Sequence, residues 1–244
     1  MLTESGDKKQ APLLELLSTN ELASPIETIR SLFASAHIFS EIRNPHAEIP
    51  VREEIKQKAR SSAVLIPIIL RGEEPTILIT KRQSHIRFGG HLCFPGGIID
   101  PGDSNAVSAA LRESKEEVDL DADQVEVLGT LGDYFTQAGY LIKPIVGLIT
   151  PPSKIEANTD EVSDIYEIRL SDVLNSKSYH LNWHTSTRGH FAFEHLAHRC
   201  IAKEIEADQS SIAFNTKVRV AGPTVSLLIG LYETLLLHSR QAWS

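Results

Sequence analysis

Only two cysteines occur in the chain, Cys93 and Cys200, so no disulfide framework holds it together. Cys93 lies in an apolar segment and is expected as a buried thiol. Such low cysteine usage suits a reducing, intracellular compartment, and 244 residues can bury a sizeable core without covalent staples. No apolar run reaches the roughly 18 residues that a membrane helix needs. Near the N-terminus, Glu4 and Asp7 leave no apolar core of signal-peptide length. The closing Ala-Trp-Ser differs from a Ser-Lys-Leu peroxisomal address. Basic residues are outnumbered, giving a formal net charge of -8, which argues against nucleic acid as the main partner. A small phosphorylated ligand remains compatible, since it needs only a local basic patch or a bound cation. There is no internal repeat and no low-complexity linker, and a homo-oligomer is left open.

What is present reads as one α/β domain behind an N-terminal extension. Residues 1–20 are polar and irregular. Ser24-Pro25-Ile26-Glu27 is a helix start, with Ser24 as cap and Pro25 at the first helical position; Ile26, Ile29, Leu32 and Phe33 then follow at helical spacing. The charged stretch from Val51 to Arg60 suggests a second short helix. SAVLIPIIL (Ser62 to Leu70) and TILITKR (Thr76 to Arg82) form a strand pair, in which Pro67 points to an edge strand or a bulge. VEVLGTL and LIKPIVGLI are further strands, EVSDIYEIRLSDVL is a strand passing into a helix, and Tyr179 to Phe193 suggests a strand pair. After Gly222-Pro223-Thr224, SLLIGLYETLLL is a C-terminal helix.

The chemistry concentrates in FPGGIIDPGDSNAVSAALRESKEEV, residues Phe94 to Val118. At about 100 degrees per residue, Val107, Ala110, Leu111, Ser114 and Val118 share a core-facing stripe. Glu113, Glu116 and Glu117 share a separate sector. Like charges at this spacing repel, and the helix dipole disfavours anions toward the C-terminal end, so helix stability does not explain them. A hard divalent cation with oxygen ligands does, and Arg112, four residues before Glu116, can orient a carboxylate. The plain alternative is a solvated acidic face balanced by Arg112 and Lys115. The preceding loop weighs against it. Pro95-Gly96-Gly97 allows close backbone approach, and Asp100-Pro101-Gly102-Asp103 makes a turn after which Asp103 or Ser104 caps the helix.

GGIIDPGDSNAVSAALRESKEEVDL resembles the Nudix box, Gly-x5-Glu-x7-Arg-Glu-U-x-Glu-Glu-x-Gly-U with U aliphatic. Gly97, Arg112, Glu113, Glu116 and Glu117 fall on its glycine, arginine and three glutamates. The wider pattern LITKR...FPGG..DPGD......ALRESKEEV is similar to the coenzyme A diphosphatase branch, in which an aspartate, here Asp103, replaces the early glutamate. The similarity spans roughly Ser62 to Thr224. Asp119 stands where the box has its last glycine, so no glycine cap ends the helix, and Ser114 stands where it has an aliphatic residue. QSHIRFG is one residue shorter than the branch usually has, which bears on coenzyme A contacts more than on hydrolysis.

The resemblance implies a Nudix-like α/β/α sandwich with a mixed sheet over residues 61–244, behind a partly helical extension over 1–60. It also implies metal-dependent hydrolysis of a nucleotide-linked diphosphate. Glu113, Glu116 and Glu117 would hold Mg²⁺ or Mn²⁺, assisted by Arg112 and the Gly97 carbonyl; the base would be one of these glutamates or a later carboxylate, for which Glu161 is the candidate and a solvated loop acid the alternative. Lys81, Arg82, His85 and Arg87 cluster before the glycine loop. Arg82, Arg87, Gly96 and Gly97 are the expected substrate contacts, and a solvated strand edge is the alternative for the basic group. His91, beside Leu92, is expected to be semi-buried. Coenzyme A or a derivative is the expected substrate; NADH, ADP-ribose or another nucleoside diphosphate derivative is the alternative, and a non-catalytic binding protein on the same fold is a third reading.

Overall fold

Aliphatic residues in the centre of the chain alternate between two separate cores, so the strands that carry them are buried on both faces. The structure, a computed structural model, describes residues 25–34, 51–72, 74–151, 154–175, 179–184, 190–202 and 213–241. Strand β1 (Arg60–Arg71) turns into β2 (Glu74–Arg82), antiparallel with Ile68 opposite Ile77. Ile66, Ile68, Ile77 and Ile79 enter one core, while Leu65, Ile69 and Leu78 enter the other. The expected segment 1–20 and the Ser24 cap lie outside the described residues.

Two small strands follow, β3 (Leu92–Cys93) and β4 (Gly96–Ile98), then helix α3 (Ala106–Val118), which comes after α1 (Pro25–Ala34) and α2 (Glu53–Gln57). Strands β5 (Val125–Thr130), β6 (Tyr134–Phe135), β7 (Tyr140–Ile149) and β8 (Val162–Arg169) complete the centre. A short helix α4 (Leu170–Val173) leads to β9 (Tyr179–His184), β10 (His190–Ala202), β11 (Ala213–Val220) and helix α5 (Pro223–Gln241). The sheet order is β11-β10-β8-β2-β1-β7-β5, with β3, β4, β6 and β9 paired beside it. It is mixed, because β1 and β7 run parallel while their other neighbours are antiparallel. Helix α3 covers one core, and α1 and α5 close the other. Arg30 Nε on α1 donates to Glu126 of β5 at 2.7 Å.

Pro67 corrects one expectation. It lies in an interior strand without a bulge: the parallel register with β7 runs unbroken from Arg60 to Ile69, with Pro67 opposite Gly147. On the other flank β4 pairs with Ser62 to Val64 and β2 with Ile68 to Arg71. The missing N–H falls between these two registers and breaks neither. Strand β11, with the polar pattern AFNTKVRV, has no counterpart among the sequence expectations; it is recruited by antiparallel pairing with β10.

Helix α3 is pinned differently at both ends from the expectation. Asn105, rather than Asp103 or Ser104, is the cap: its side chain accepts from the Ser108 N–H, and Ser108 Oγ returns a bond from the Asn105 N–H. At the other end Asp119 takes the left-handed cap conformation itself, φ 55° and ψ 28°, which an aspartate tolerates better than most residues. The buried face is also rotated toward the acids. Ala109, Ala110, Ser114, Glu117 and Val118 are buried, while Val107 and Leu111 are only half-buried. Ser114 fits the close helix–sheet contact by donating Oγ–H to the Ala110 carbonyl at 2.7 Å.

Ala110 is fully buried against the sheet. Ala110→Glu is expected to destabilise the fold by about 3 kcal/mol or more through a buried, unpaired charge, read as a lowered urea midpoint. An unchanged midpoint would place the helix on its wrong face.

Candidate active site

The glycine pair exists because β4 is pressed between β1 and α3. A side chain at Gly96 would overlap the Ala63 backbone, and one at Gly97 would overlap the Glu113 carboxylate. The chain then turns at Asp100 to Asp103, where the Asp100 N–H donates to Asp103 Oδ2 at 2.8 Å. That bond aims the Asp103 carboxylate at α3 rather than at the helix N-terminus. Arg112 receives it. Its guanidinium donates to Asp103 at 3.0 and 3.1 Å, to the Ile98 carbonyl at 3.2 Å, to Glu113 at 2.9 Å and to Glu116 at 3.1 Å. The hydrogen bond from Arg112 is the main reason that the Asp103 carboxyl is held below the usual range.

The three glutamates occupy three environments. Glu116 is exposed, Glu113 is half-buried, and Glu117 is only 2% exposed. Burial pushes the Glu117 carboxyl up to about 8; Arg82 opposes this, the negative charges of Glu113 and Glu161 add to it, and a bond from the Gly96 N–H opposes it. Glu113 is likewise raised, first by burial. Arg82 Nη1 stands 3.5 Å from Glu117 Oε1, whereas Oε2 of Glu117 is buried without a hydrogen-bond partner.

An orphaned carboxylate oxygen beside the half-buried Glu113 carboxylate fits a cation, which would relieve both raised carboxyls. As the side chains lie, no three acidic, histidine or cysteine residues among the described residues converge at metal-holding distances. The physical reason is visible in the ion pairs: Arg112 draws Glu113 and Glu116 to itself, and Arg82 draws Glu117.

Glu161 reaches this cluster through a strap that the sequence did not reveal. The N–H groups of Glu156 and Asn158 donate to the Val118 and Glu117 carbonyls, and Asn158 Nδ2 donates to the Glu116 carbonyl. The open C-terminal carbonyls of α3 are thereby satisfied. The Glu161 N–H bonds the Asn158 carbonyl, and its own carbonyl accepts from the Gln83 N–H at 2.8 Å. Glu161 is thus held close enough to raise the pKa of Glu113 and Glu117.

A cavity of about 470 Å³ opens beside β4, touching Arg82, Gly96 and Gly97. Its interior is apolar, with Val64, Phe94 and Ile142, and its far wall comes from Ala221 to Thr224 and Leu227 at the start of α5. Thr224 fastens that wall by donating to the Leu92 carbonyl at 2.8 Å. Of the expected basic group, Arg82 and Arg87 line the cavity. Lys81 does not: it pairs with Asp164 at the strand edge, 3.1 Å away. His85 is exposed and outside the lining. His91 lines the cavity but is exposed rather than semi-buried. Cys93 is a half-buried free thiol in the wall, 3.3 Å from Thr80 Oγ1, and burial raises its pKa. Phe88, Tyr140 and Thr224 were not expected at the site from the sequence, because nothing in their local pattern links them.

This combination of fold and acidic helix agrees with the family comparison. The NUDIX domain family matches residues 59–185, and the chain belongs to that family. A protein of Photorhabdus laumondii named "Uncharacterized Nudix hydrolase NudL" is 41% identical over 132 residues, covering 54% of this chain and 70% of that protein. A protein of the same name from Yersinia pestis is 45% identical over 122 residues, covering 50% of this chain and 61% of the relative. Neither name states a substrate. Among solved structures, a C. elegans Ap4A hydrolase binary complex aligns at 21% identity and a TM-score of 0.40, over 48% of this chain and 84% of that one. No helix among the described residues is long and apolar enough to cross a membrane.

The raised Glu117 carboxyl makes the metal-free fold pH-sensitive. Between the ordinary glutamate value of 4.5 and about 8 the folded state binds a proton that the unfolded state releases, so stability falls as pH rises through that window. Glu113 acts in the same direction. With chelator present, urea midpoints are expected to drop from about pH 5 to about pH 8, and Glu117→Gln is expected to flatten the slope and raise the midpoint at the alkaline end. A slope unchanged in Glu117→Gln would remove Glu117 as its source.

Proposed function

We propose that this protein hydrolyses the diphosphate linkage of nucleoside diphosphate derivatives with the aid of a divalent cation, and that coenzyme A or a derivative is its substrate. The products are then 3′,5′-ADP and 4′-phosphopantetheine or its acylated form. The observation that carries the hydrolytic reading is Glu117, a buried carboxylate with an oxygen lacking any partner, set beside Glu113 and next to a cavity that reaches the same glycines. The substrate reading rests on the LITKR...FPGG..DPGD pattern.

Glu113, Glu116 and Glu117 would hold Mg²⁺ or Mn²⁺. When bound, such a cation supplies charge neutralisation at the phosphoryl oxygens and a lowered pKa for a coordinated water. Arg112 keeps the carboxylates oriented through its bonds to Asp103 and the Ile98 carbonyl. Arg82 now leans on Glu117; once that carboxylate is otherwise neutralised, its guanidinium is free to bind the diphosphate. Gly96 and Gly97, which line the cavity, are the backbone contacts for the diphosphate. Glu161, held beside this cluster by the Gln83 and Asn158 backbone bonds, would be the base for the attacking water. Arg87, at the cavity, is the contact for the 3′-phosphate, because a guanidinium makes strong, directional bonds to phosphate.

Glu117→Gln keeps the shape and removes the charge. Its turnover is expected to fall on the order of 10²-fold or more, as for loss of a transition-state electrostatic group; near-normal turnover by a folded variant would sink the assignment. The substrate is tested separately, by product masses from coenzyme A, dephospho-coenzyme A, NADH and ADP-ribose at equal subsaturating concentration with Mg²⁺. Coenzyme A is expected to be cleaved fastest, and Arg87→Ala should impair it more than dephospho-coenzyme A. Faster cleavage of NADH or ADP-ribose would reject coenzyme A and keep the hydrolase; no metal-dependent cleavage of any of them would favour a binding protein.

A further inference from the structure

The turn from Gln83 to Gly90 puts a bulky residue where the backbone least favours one. Phe88 is left-handed, φ 60°, a conformation that glycine or asparagine adopts at far less strain. Two glycines, Gly89 and Gly90, follow directly, so the turn has residues suited to such angles and still sets the ring at this position. Burial does not explain it. Phe88 is 45% exposed and belongs to neither core. A strained backbone that presents an exposed ring at a cavity points to a role outside folding.

The ring is exposed yet fixed. Tyr140 meets it edge-on at 6.4 Å between centroids, and His91 lies tilted at 6.3 Å. The Arg87 guanidinium carbon stands 4.9 Å from the Phe88 centroid and 5.3 Å from that of Tyr140. Arg87 Nη1 also donates to the Tyr140 hydroxyl at 2.7 Å, which locks the three together. All four side chains line the cavity that reaches Gly96 and Gly97. A diphosphate at the acidic helix would therefore lead its attached groups toward this rim. A flat ring held in place favours a flat partner, and the planar aromatic part of a nucleoside diphosphate is its base. An apolar chain would gain more from the interior at Val64, Phe94 and Ile142.

We propose that Phe88 is a specificity-determining residue whose ring stacks on the nucleobase of the substrate, with Arg87, Tyr140 and His91 fixing its position. The identity of the substrate as a nucleoside diphosphate derivative rests on the function proposed above. The placement also sets the base beside Arg87, so an adenine and the 3′-phosphate of the same nucleoside are read by adjacent residues.

The test compares binding of ADP with binding of inorganic diphosphate, which lacks the base, by calorimetry on the full chain with Mg²⁺. Phe88→Ala and Phe88→Leu are expected to weaken ADP binding by about ten-fold or more, in line with base–aromatic stacking, without changing the affinity for inorganic diphosphate; Phe88→Trp should restore ADP binding. In turnover of whichever nucleoside diphosphate derivative is cleaved fastest, Phe88→Ala should raise KM by more than it lowers kcat. Unchanged ADP affinity in both variants, an equal loss for the two ligands, or no ADP binding by the unaltered protein overturns the proposal. Cleavage with a KM indifferent to Phe88→Ala overturns the stacking and keeps the hydrolase. Phe88-dependent ADP binding without cleavage of any diphosphate does the reverse.

Discussion

The Arg112 guanidinium is the tie on which the acidic site depends. It bridges three carboxylates and one carbonyl, drawn from the β4 strand end, the following turn and two turns of α3. A lysine could offer one point charge there, whereas the planar fork satisfies several acceptors in fixed directions. Asp103, and then Glu113, raise the guanidinium pKa further above its already high value against the pull of burial, so the tie stays charged at any pH at which the protein is folded. Without it, Asp103, Glu113 and Glu116 would face one another as uncompensated like charges.

Glu117 carries the opposite sign of the same design. Its carboxylate is desolvated, only partly answered by Arg82 and the Gly96 N–H, and one oxygen has no partner. Burial of this kind works against folding, and no feature of helix α3 requires it. Local rules broken without local compensation are expected where a ligand completes the interaction. The site therefore divides into a part that the protein satisfies alone, around Arg112, and a part at Glu117 that it leaves unsatisfied.

The acidic helix and the far wall of the cavity come from different parts of the chain. The acids, glycines and Arg82 lie within the segment that matches the family, residues 59–185. The far wall of the cavity, from Ala221 to Thr224 with Leu227, lies beyond it and is fastened across the sheet by Thr224. The rest of the cavity lining, including Arg87, Phe88 and Tyr140, lies within the matching segment, so the wall at the start of α5 is the part of the pocket that comes from outside it.

Much of the central architecture was legible from local pattern. The β1–β2 pair, strands β5, β7 and β8, the β9–β10 pair and helix α5 follow from aliphatic runs, turn residues and period, and the grouping of Glu113, Glu116 and Glu117 follows from about 100 degrees per residue. Periodicity says which residues share a face, but not which face is dry. Glu117 is buried with Arg82 3.5 Å away and the Gly96 N–H bonded to it, and both belong to strands that the helix pattern does not contain. For the same reason Pro67 could sit in an interior strand, since the gap between β4 and β2 is a property of the neighbours. Asn158, Tyr140 and Thr224 meet the site from 40 or more residues away along the chain, counting from Glu117 to Asn158, from Arg87 to Tyr140 and from Leu92 to Thr224. The residue types needed for the chemistry were determined by the sequence alone; their solvation was decided by the tertiary fold, because burial depends on what packs against a side chain and not on its place in the helix.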